Sequence, residues 1–318
     1  MKTTLIQNGN FYKGNIHCHS VRSDGHLTVD ELVHAYQEQS YDFLAITDHS
    51  IYSNYKEYNT DKFILIQGVE ANPNIPEGDY RAYHFIALPG SDEHMKHAKI
   101  PFYEHDQRLE NPVFHNYGDI QNFIDDLYYR GYQVMINHPF WSRIEYDEIL
   151  PFHHLFAVEI FSYCSHILEN VGESNVCYDA LLRNGMRLWA TAVDDNHNTF
   201  PLDSTKCDSF GGFIVVKAAS LDERAICNAI AQGSFYASQG PQIYDFYIQN
   251  NKVHFFCSPV SRIYANGDCR QIRFEIAEDG GPLLTSFESE LYGNEAYVRI
   301  ECYDQNGKKA YTNPIWLK

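Results

Sequence analysis

The chain has 318 residues, 44% of them hydrophobic and 21% charged, and a formal net charge of −18. That length and composition fit a globular protein of one large domain, or a large and a small one, with a sizeable core. So acidic a surface argues against extended nucleic-acid binding and against an anionic membrane partner, and no stretch approaches the ~20 apolar residues of a membrane span.

The opening MKTTLIQNGNFYKGN lacks the apolar core of a signal peptide, which reads as a cytoplasmic chain. A first strand pattern, NIHCH (15–19), precedes a helical TVDELVHAYQEQS (28–40), where Thr28 and Glu31 have the spacing of a capping box. Apolar runs at 41–49, 63–71 and 83–90 read as further strands. Residues 91–116 are polar and His-rich, too long for a simple connection, and read as a lid-like insertion. A helix over 118–131 closed by Gly131, strands at 132–139 and 156–162, a helix at 176–185, strands at 187–195 and 212–218, and a helix at 221–233 follow. This alternation predicts an α/β fold with βα units around a parallel sheet or barrel. Beyond GSFYASQGPQI (233–243) come short alternating runs such as KVHFFCS, QIRFEIAE and EAYVRIECYD, separated by turn signals. They predict a small all-β, sandwich-like domain at 243–318 behind a main domain at 1–242. The 8 cysteines include no CxxC pair and read as reduced core residues.

The strand ends carry a consistent chemistry. The first ends His17-Cys18-His19, the second Thr47-Asp48-His49, the third Gly68-Val69-Glu70 and the fifth Asn137-His138-Pro139. The seventh ends Asp194-Asp195-Asn196-His197, and the fourth carries His84 near its start. In βα folds, functional groups gather at the carboxyl ends of strands. Residues i and i+2 of a strand share a face, so His17 and His19 converge while Cys18 points into packing. Asp195 and His197 repeat the spacing if their strand continues that far. Each residue alone has an ordinary explanation: a backbone hydrogen bond for His49, a solvated strand end for Glu70, a turn at His138-Pro139, a helix N-cap for Asp195. Together, at one strand end after another, imidazoles and carboxylates point to a metal centre suited to Zn, Mn or Fe.

The set NIHCHSVRSDG (15–25), LAITDHS (44–50), GVEAN (68–72), YHFIALPG (83–90), INHPFW (136–141) and DDNH (194–197) resembles the motifs of the PHP (polymerase and histidinol phosphatase) family of metal-dependent hydrolases. The resemblance spans about residues 14–240. GSFYASQGP (233–241) and TNPIW (312–316) resemble segments of its CehA/McbA-like metallohydrolase branch. The resemblance implies a distorted seven-stranded (β/α) barrel holding two to three divalent ions. It implies His17, His19, Glu70 and Asp195 on the first ion. Glu70 would bridge to a second, held also by His84 and His138, and Asp24, His49 and His197 would hold a third. Either member of Asp194-Asp195 has the right type for the carboxylate ligand. The DxH spacing favours Asp195, leaving Asp194 a supporting or structural role.

Three divalent ions against three carboxylates leave net positive charge, which attracts a phosphate dianion. The expected function is therefore a phosphoesterase acting on a small phosphate mono- or diester, with a hydroxide between two ions as nucleophile. Glu70, Asp195 and His197 are the expected catalytic residues, and His197 or Asp195 the expected acid to the leaving group. The same centre would serve a carboxylic ester, carbamate or amide. Asp48, off the face used by His49, is expected to orient a ligand or to pack. Arg22 and Arg143 are candidates for gripping a substrate phosphate, and equally readable as surface ion pairs. His94, His97, His105, Arg108 and His115 of the insertion are candidates for the pocket wall, and more simply solvated residues of a lid. The expected partner is a small phosphate-containing molecule; nothing in the sequence fixes the oligomeric state.

Overall fold

The apolar runs of the first two thirds form strands with two differences: the first strand lies at Asn10–Asn15, so that NIHCH (15–19) extends beyond it, and the run 63–71 splits into two strands of different sheets. In a computed structural model that describes every residue except Ile75, Glu77, Gln271 and Ile272, they are β1 (Asn10–Asn15), β2 (Phe43–Ala45), β3 (Ile64–Ile66), β4 (Val69–Ala71), β5 (Phe85–Pro89), β6 (Tyr132–Ile136), β7 (Leu155–Ser162), β8 (Trp189–Val193), β9 (Phe213–Ala218) and β10 (Phe235–Ser238). Helices α1 (Val29–Glu38), α2 (Asp92–Met95), α3 (Tyr117–Tyr129), α4 (Tyr146–Ile149), α5 (Tyr163–Glu169), α6 (Asn175–Arg183) and α7 (Glu223–Ala231) lie between them. The capping box forms: Thr28 accepts from the Glu31 amide, and the Glu31 carboxylate accepts from the Thr28 amide at 2.8 Å. Gly131 and Gly233 follow α3 and α7 at φ +94° and +73°, the left-handed region that stops a helix. Among the described residues no helix is long and apolar enough to cross a membrane, and no disulfide links the cysteines.

The strands fall into two sheets rather than one closed, all-parallel barrel. In the first, β1, β2 and β3 run parallel, while β9 pairs antiparallel with β1 and β10 antiparallel with β9. In the second, β4, β5 and β6 are antiparallel and β6, β7 and β8 parallel. Single bridges join the sheets beyond the strand ends, two of them at the expected centre. One pairs Cys18 with Asn196, the other His49 with Glu70. Both lie among the residues singled out as ligands, so the chemistry sits where the two sheets meet.

The last third forms β11 (Ile243–Gln249), β12 (Lys252–Val260), β13 (Arg262–Gly267), β14 (Arg273–Ile276), β15 (Leu284–Glu290), β16 (Tyr297–Tyr303), β17 (Lys309–Thr312) and β18 (Ile315–Trp316). The first two residues of QIRFEIAE lie outside the described residues. Strands β11, β12 and β15 make a separate sheet. The others continue the first sheet, in the order β14-β13-β16-β17-β10-β9-β1-β2-β3, with β18 beside β16. Hydrogen bonding therefore crosses the division expected at 242/243. The seam is buried: Asn313 accepts from the Ala190 amide at 3.0 Å and donates to the Gly233 and Phe235 carbonyls at 3.1 Å. Thus the segments 233–241 and 312–316 touch one another. Phe246, Phe255, Phe287, Val298 and Ile300 share one buried cluster with Leu44 and Ile46 of the first sheet's other end.

The insertion at 91–116 is stitched to the body. Asp92 pairs with Arg224 of α7 at 2.6 Å, the Leu109 amide donates to the Ser50 carbonyl at 2.8 Å, and the Tyr52 amide to the Gln107 carbonyl at 2.9 Å.

Ending the chain at residue 242 would strip β10 of β17, one of its two neighbours, and leave the Ala190 amide and two carbonyls unpaired in the interior, at about 1–3 kcal/mol each. Residues 1–242 alone should show no cooperative thermal unfolding by circular dichroism. A sharp transition like that of the full chain would show the seam to be dispensable.

Candidate metal centre

The extended segment after β1 aims two imidazoles at one point. His17 Nε2 and His19 Nε2 lie 3.1 Å apart, and both residues are fully buried. Cys18 between them faces the opposite side, in the cluster with Tyr36, Leu44 and Ile46. Glu70 Oε2 on β4 is 3.3 Å from His17 Nε2 and 3.2 Å from His19 Nε2. Asp195 Oδ1 is 3.0 Å and 3.3 Å from the same nitrogens. These separations match the ~3.0–3.4 Å spacing of donors held about 2.1 Å from a shared ion. His17 Nδ1 meets Glu159 Oε1 at 2.7 Å, which fixes the proton on Nδ1 and leaves Nε2 a free lone pair.

Glu70 ties this group to a second one. Its Oε2 lies 2.8 Å from His49 Nδ1, and its Oε1 is 3.1 Å from His84 Nδ1 and 3.4 Å from His138 Nε2. Asn137 donates to Oε1 at 2.7 Å. His49 Nδ1 and Glu70 Oε2 are buried and close to one another but not aligned for a hydrogen bond, and neither has another hydrogen-bond partner among the described residues. Orphaned donor atoms at this position, on soft and hard ligand types together, fit a divalent ion. A third group forms around half-exposed Asp24: its Oδ2 is 3.5 Å from both His49 Nε2 and His197 Nε2, and its Oδ1 is 3.8 Å from His19 Nδ1. Eight of the nine expected ligands thus fall in three overlapping clusters, and the ninth, His138, joins them through Glu70 Oε1. His19 and His49 each face two of them, which the expected assignment did not include.

The strand assumed for Asp195 and His197 does not continue. β8 ends at Val193, and Asp195 adopts φ +55°. This left-handed turn sends the Asp195 carboxylate to His17 and His19 and the His197 ring to Asp24. His138 is likewise at φ +26°. Asp194 is no ligand. It is buried and accepts from the Phe210, Gly211 and Gly212 amides at 2.8 Å and from the Tyr36 hydroxyl at 2.6 Å. Burial pushes its carboxyl up to about 6, with those hydrogen bonds pulling the other way. Asp48 accepts from Ser20 and Ser23, fixing the loop that carries Asp24.

Neither expected arginine reaches the centre. Arg22 is held by Asp106 and by the Tyr55 hydroxyl at 3.1 Å, and exposed Arg143 lies over Phe140 at 5.4 Å. Sequence reasoning passed over Glu159, whose Oε1 holds His17 and whose Oε2 accepts from the His138 amide at 2.9 Å. Its one signal is an acid in the middle of the apolar run FAVEIFS. The centre opens into a cavity of about 430 Å³, whose wall beyond the ligands is made by Trp141, Cys164, Ser165, Leu168, Glu169 and Thr199. No residue of 91–116 lines it. Those residues instead wall a larger cleft of about 730 Å³ against α3, which contains Arg108 and His115.

Charge in the centre is balanced by protons. Burial opposes charge on His17, but Asp195, Glu70 and Glu159 raise its pKa well above the ordinary imidazole value. Burial likewise opposes charge on His197, yet Asp24 and Asp195 lift it to about 9. Glu70 is held well below the carboxylate range, against its burial, by His17, His49 and His84. Burial keeps His84 below the usual imidazole value.

No protein-family model and no curated protein matches the chain. Solved structures that resemble it include a two-domain protein from Bacteroides vulgatus containing a predicted PHP-like metal-dependent phosphoesterase. It is 13% identical, with 98% of this chain and 96% of that one covered at a TM-score of 0.46. A proposed metal-dependent phosphoesterase from Bifidobacterium adolescentis is 15% identical over 61% of this chain and 89% of its own, at 0.39. An amidohydrolase from Chromobacterium violaceum, with bound sulfate and no metal, is 15% identical over 58% and 87%, at 0.38. The functional reading rests on the chemistry of the site.

Two outcomes follow from this geometry. Metal must displace the protons on the raised histidines, so affinity should keep rising with pH between about 7 and the His197 value of about 9. Calorimetry in buffers of different ionisation enthalpy should show proton release, and an affinity already flat above about pH 7 would contradict it. Glu159→Gln should weaken the tightest ion about 10–100-fold, read by chelator competition, with the fold retained. Unchanged affinity would mean that Glu159 does not orient His17.

Proposed function

We propose that the chain is a metal-dependent hydrolase of small phosphate mono- or diesters, working with two to three divalent ions drawn from Zn, Mn and Fe. The observation that carries this is the position of Glu70: one buried carboxylate common to two donor clusters, with a third cluster alongside. His17, His19, Glu70 and Asp195 would hold the first ion, Glu70 with His84 and His138 the second, and Asp24, His49 and His197 the third. Bound there, such ions lower the pKa of water and polarise the oxygens of the reacting group.

The residues of the chain supply the rest. The Glu159 carboxylate keeps the His17 proton on Nδ1, so that Nε2 stays a donor of electrons. His197 Nδ1 hydrogen-bonds the Asp195 carbonyl at 3.0 Å, turning Nε2 to the cavity side where Asp24 lies. His197 or Asp195 would pass a proton to the leaving oxygen only when not fully committed to an ion. Even with Glu159 counted, three divalent ions outweigh the carboxylates, and net positive charge favours a phosphoryl group at the centre. The contact between segments 233–241 and 312–316 supports the CehA/McbA-like branch within the PHP type.

A second reading, hydrolysis of a carboxylic ester, carbamate or amide, is favoured by one observation. Among the described residues no Arg or Lys lines the cavity, whereas phosphate subsites commonly use them. The two separate on a panel of phosphomonoesters, phosphodiesters and carboxylic esters given to the metal-loaded protein. Phosphate esters should be hydrolysed, and Glu70→Gln should lose at least about a hundred-fold in rate. No turnover of any phosphate ester would overturn the phosphoesterase proposal, and carboxylic-ester turnover alone would establish the second reading.

A further inference from the structure

The cavity changes character along its length. At its floor stand Asp24, Glu70 and Asp195, the carboxylates that the proposed ions would neutralise. On its outer wall a further carboxylate, Glu169, stands beside the Trp141 indole. Trp141 packs edge-on against His138 with ring centres 4.9 Å apart, and lies 5.8 Å from the His84 ring. Its Nε1–H donates to Glu169 Oε1 at 3.1 Å. This fixes indole and carboxylate as one unit next to the centre.

That unit lacks the partner its charge calls for. Among the described residues Glu169 forms no ion pair, and no Lys or Arg lines the cavity. Glu169 is also the last residue of α5, where the helix carbonyls favour a cation over a carboxylate. An aromatic face beside a carboxylate is the arrangement that receives an ammonium group. Leu168 adds apolar wall to the same cavity.

We infer that Trp141 and Glu169 form a subsite for a cationic leaving group. The inference rests on the hydrolase reading for its context. It narrows the substrate to a dipolar ester, with the bond to be cleaved at the metal end and an ammonium-bearing alcohol or amine at the outer end. Loaded with ions, the cavity is positive at its floor and negative at Glu169. It therefore orients such a molecule end to end and disfavours one whose tail is also anionic, such as a polyphosphate.

The test uses the metal-loaded full-length protein and choline as probe, with binding read by isothermal titration calorimetry. The neutral isostere, in which carbon replaces the nitrogen of choline, is the control. Choline should bind saturably and at least about five-fold more tightly than the isostere. Glu169→Gln should abolish that preference while leaving the thermal unfolding and the metal content of the protein unchanged. Equal binding of the two probes, or a preference that survives Glu169→Gln, would overturn the subsite. Failure to hydrolyse any ester would instead remove the hydrolase reading, while the titration still reports on the subsite.

Discussion

A carboxylate with no exposed surface is costly to keep ionised unless opposite charge surrounds it. Glu70 is fully buried, and the chain around it is arranged to meet that demand. His17 and His19 come to it from beyond β1, His49 from beyond β2, His84 from the start of β5 and His138 from the end of β6. Asn137 fills one lone pair of Oε1. The bridge between His49 and Glu70 is also a joint between the sheets, so the fold closes at the residue where the charge is concentrated.

Buried carboxylates here divide into two kinds by what faces them. Glu70 and Asp195 face imidazole nitrogens rather than backbone amides, with the Asn137 side chain the one amide donor to Glu70 among the described residues. Asp48, Asp194 and Asp208 face backbone amides. Asp48 takes Ser20 and Ser23, Asp194 takes Phe210 to Gly212, and Asp208 takes His197 and Asn198. The second kind holds the loops after β1 and β8 in shape, and those loops carry Asp24, Asp195 and His197. Glu159 belongs to both kinds, with one oxygen on His17 and the other on the His138 amide.

Much of this centre was readable from the sequence because ligands must be a few residue types and must stand where strands end. His17 and His19 announce themselves by a two-residue period that the backbone of a strand converts into convergence. Asp195 could be named but not oriented, because its left-handed φ has no signature in DDNH. Glu159 was missed since one acid in an apolar strand looks like any half-exposed residue until a partner 142 residues away is known. Arg22 went the other way: its nearness to Asp24 in sequence suggested substrate, but Asp106, 84 residues on, takes its charge. The C-terminal strands were recognised as strands, yet their joining to β10 was not foreseen, because antiparallel pairing between distant segments leaves no local pattern. The antiparallel course of β4, β5 and β6 was hidden by the same gap between local pattern and long-range partner.

The most direct test of the account is anomalous diffraction from crystals grown with zinc or manganese, recorded on either side of the metal's absorption edge. The account predicts anomalous peaks on both sides of Glu70, one within coordinating distance of His17, His19 and Asp195 and another beside His84. A metal-supplied crystal with no anomalous peak within coordinating distance of either Glu70 oxygen would contradict it.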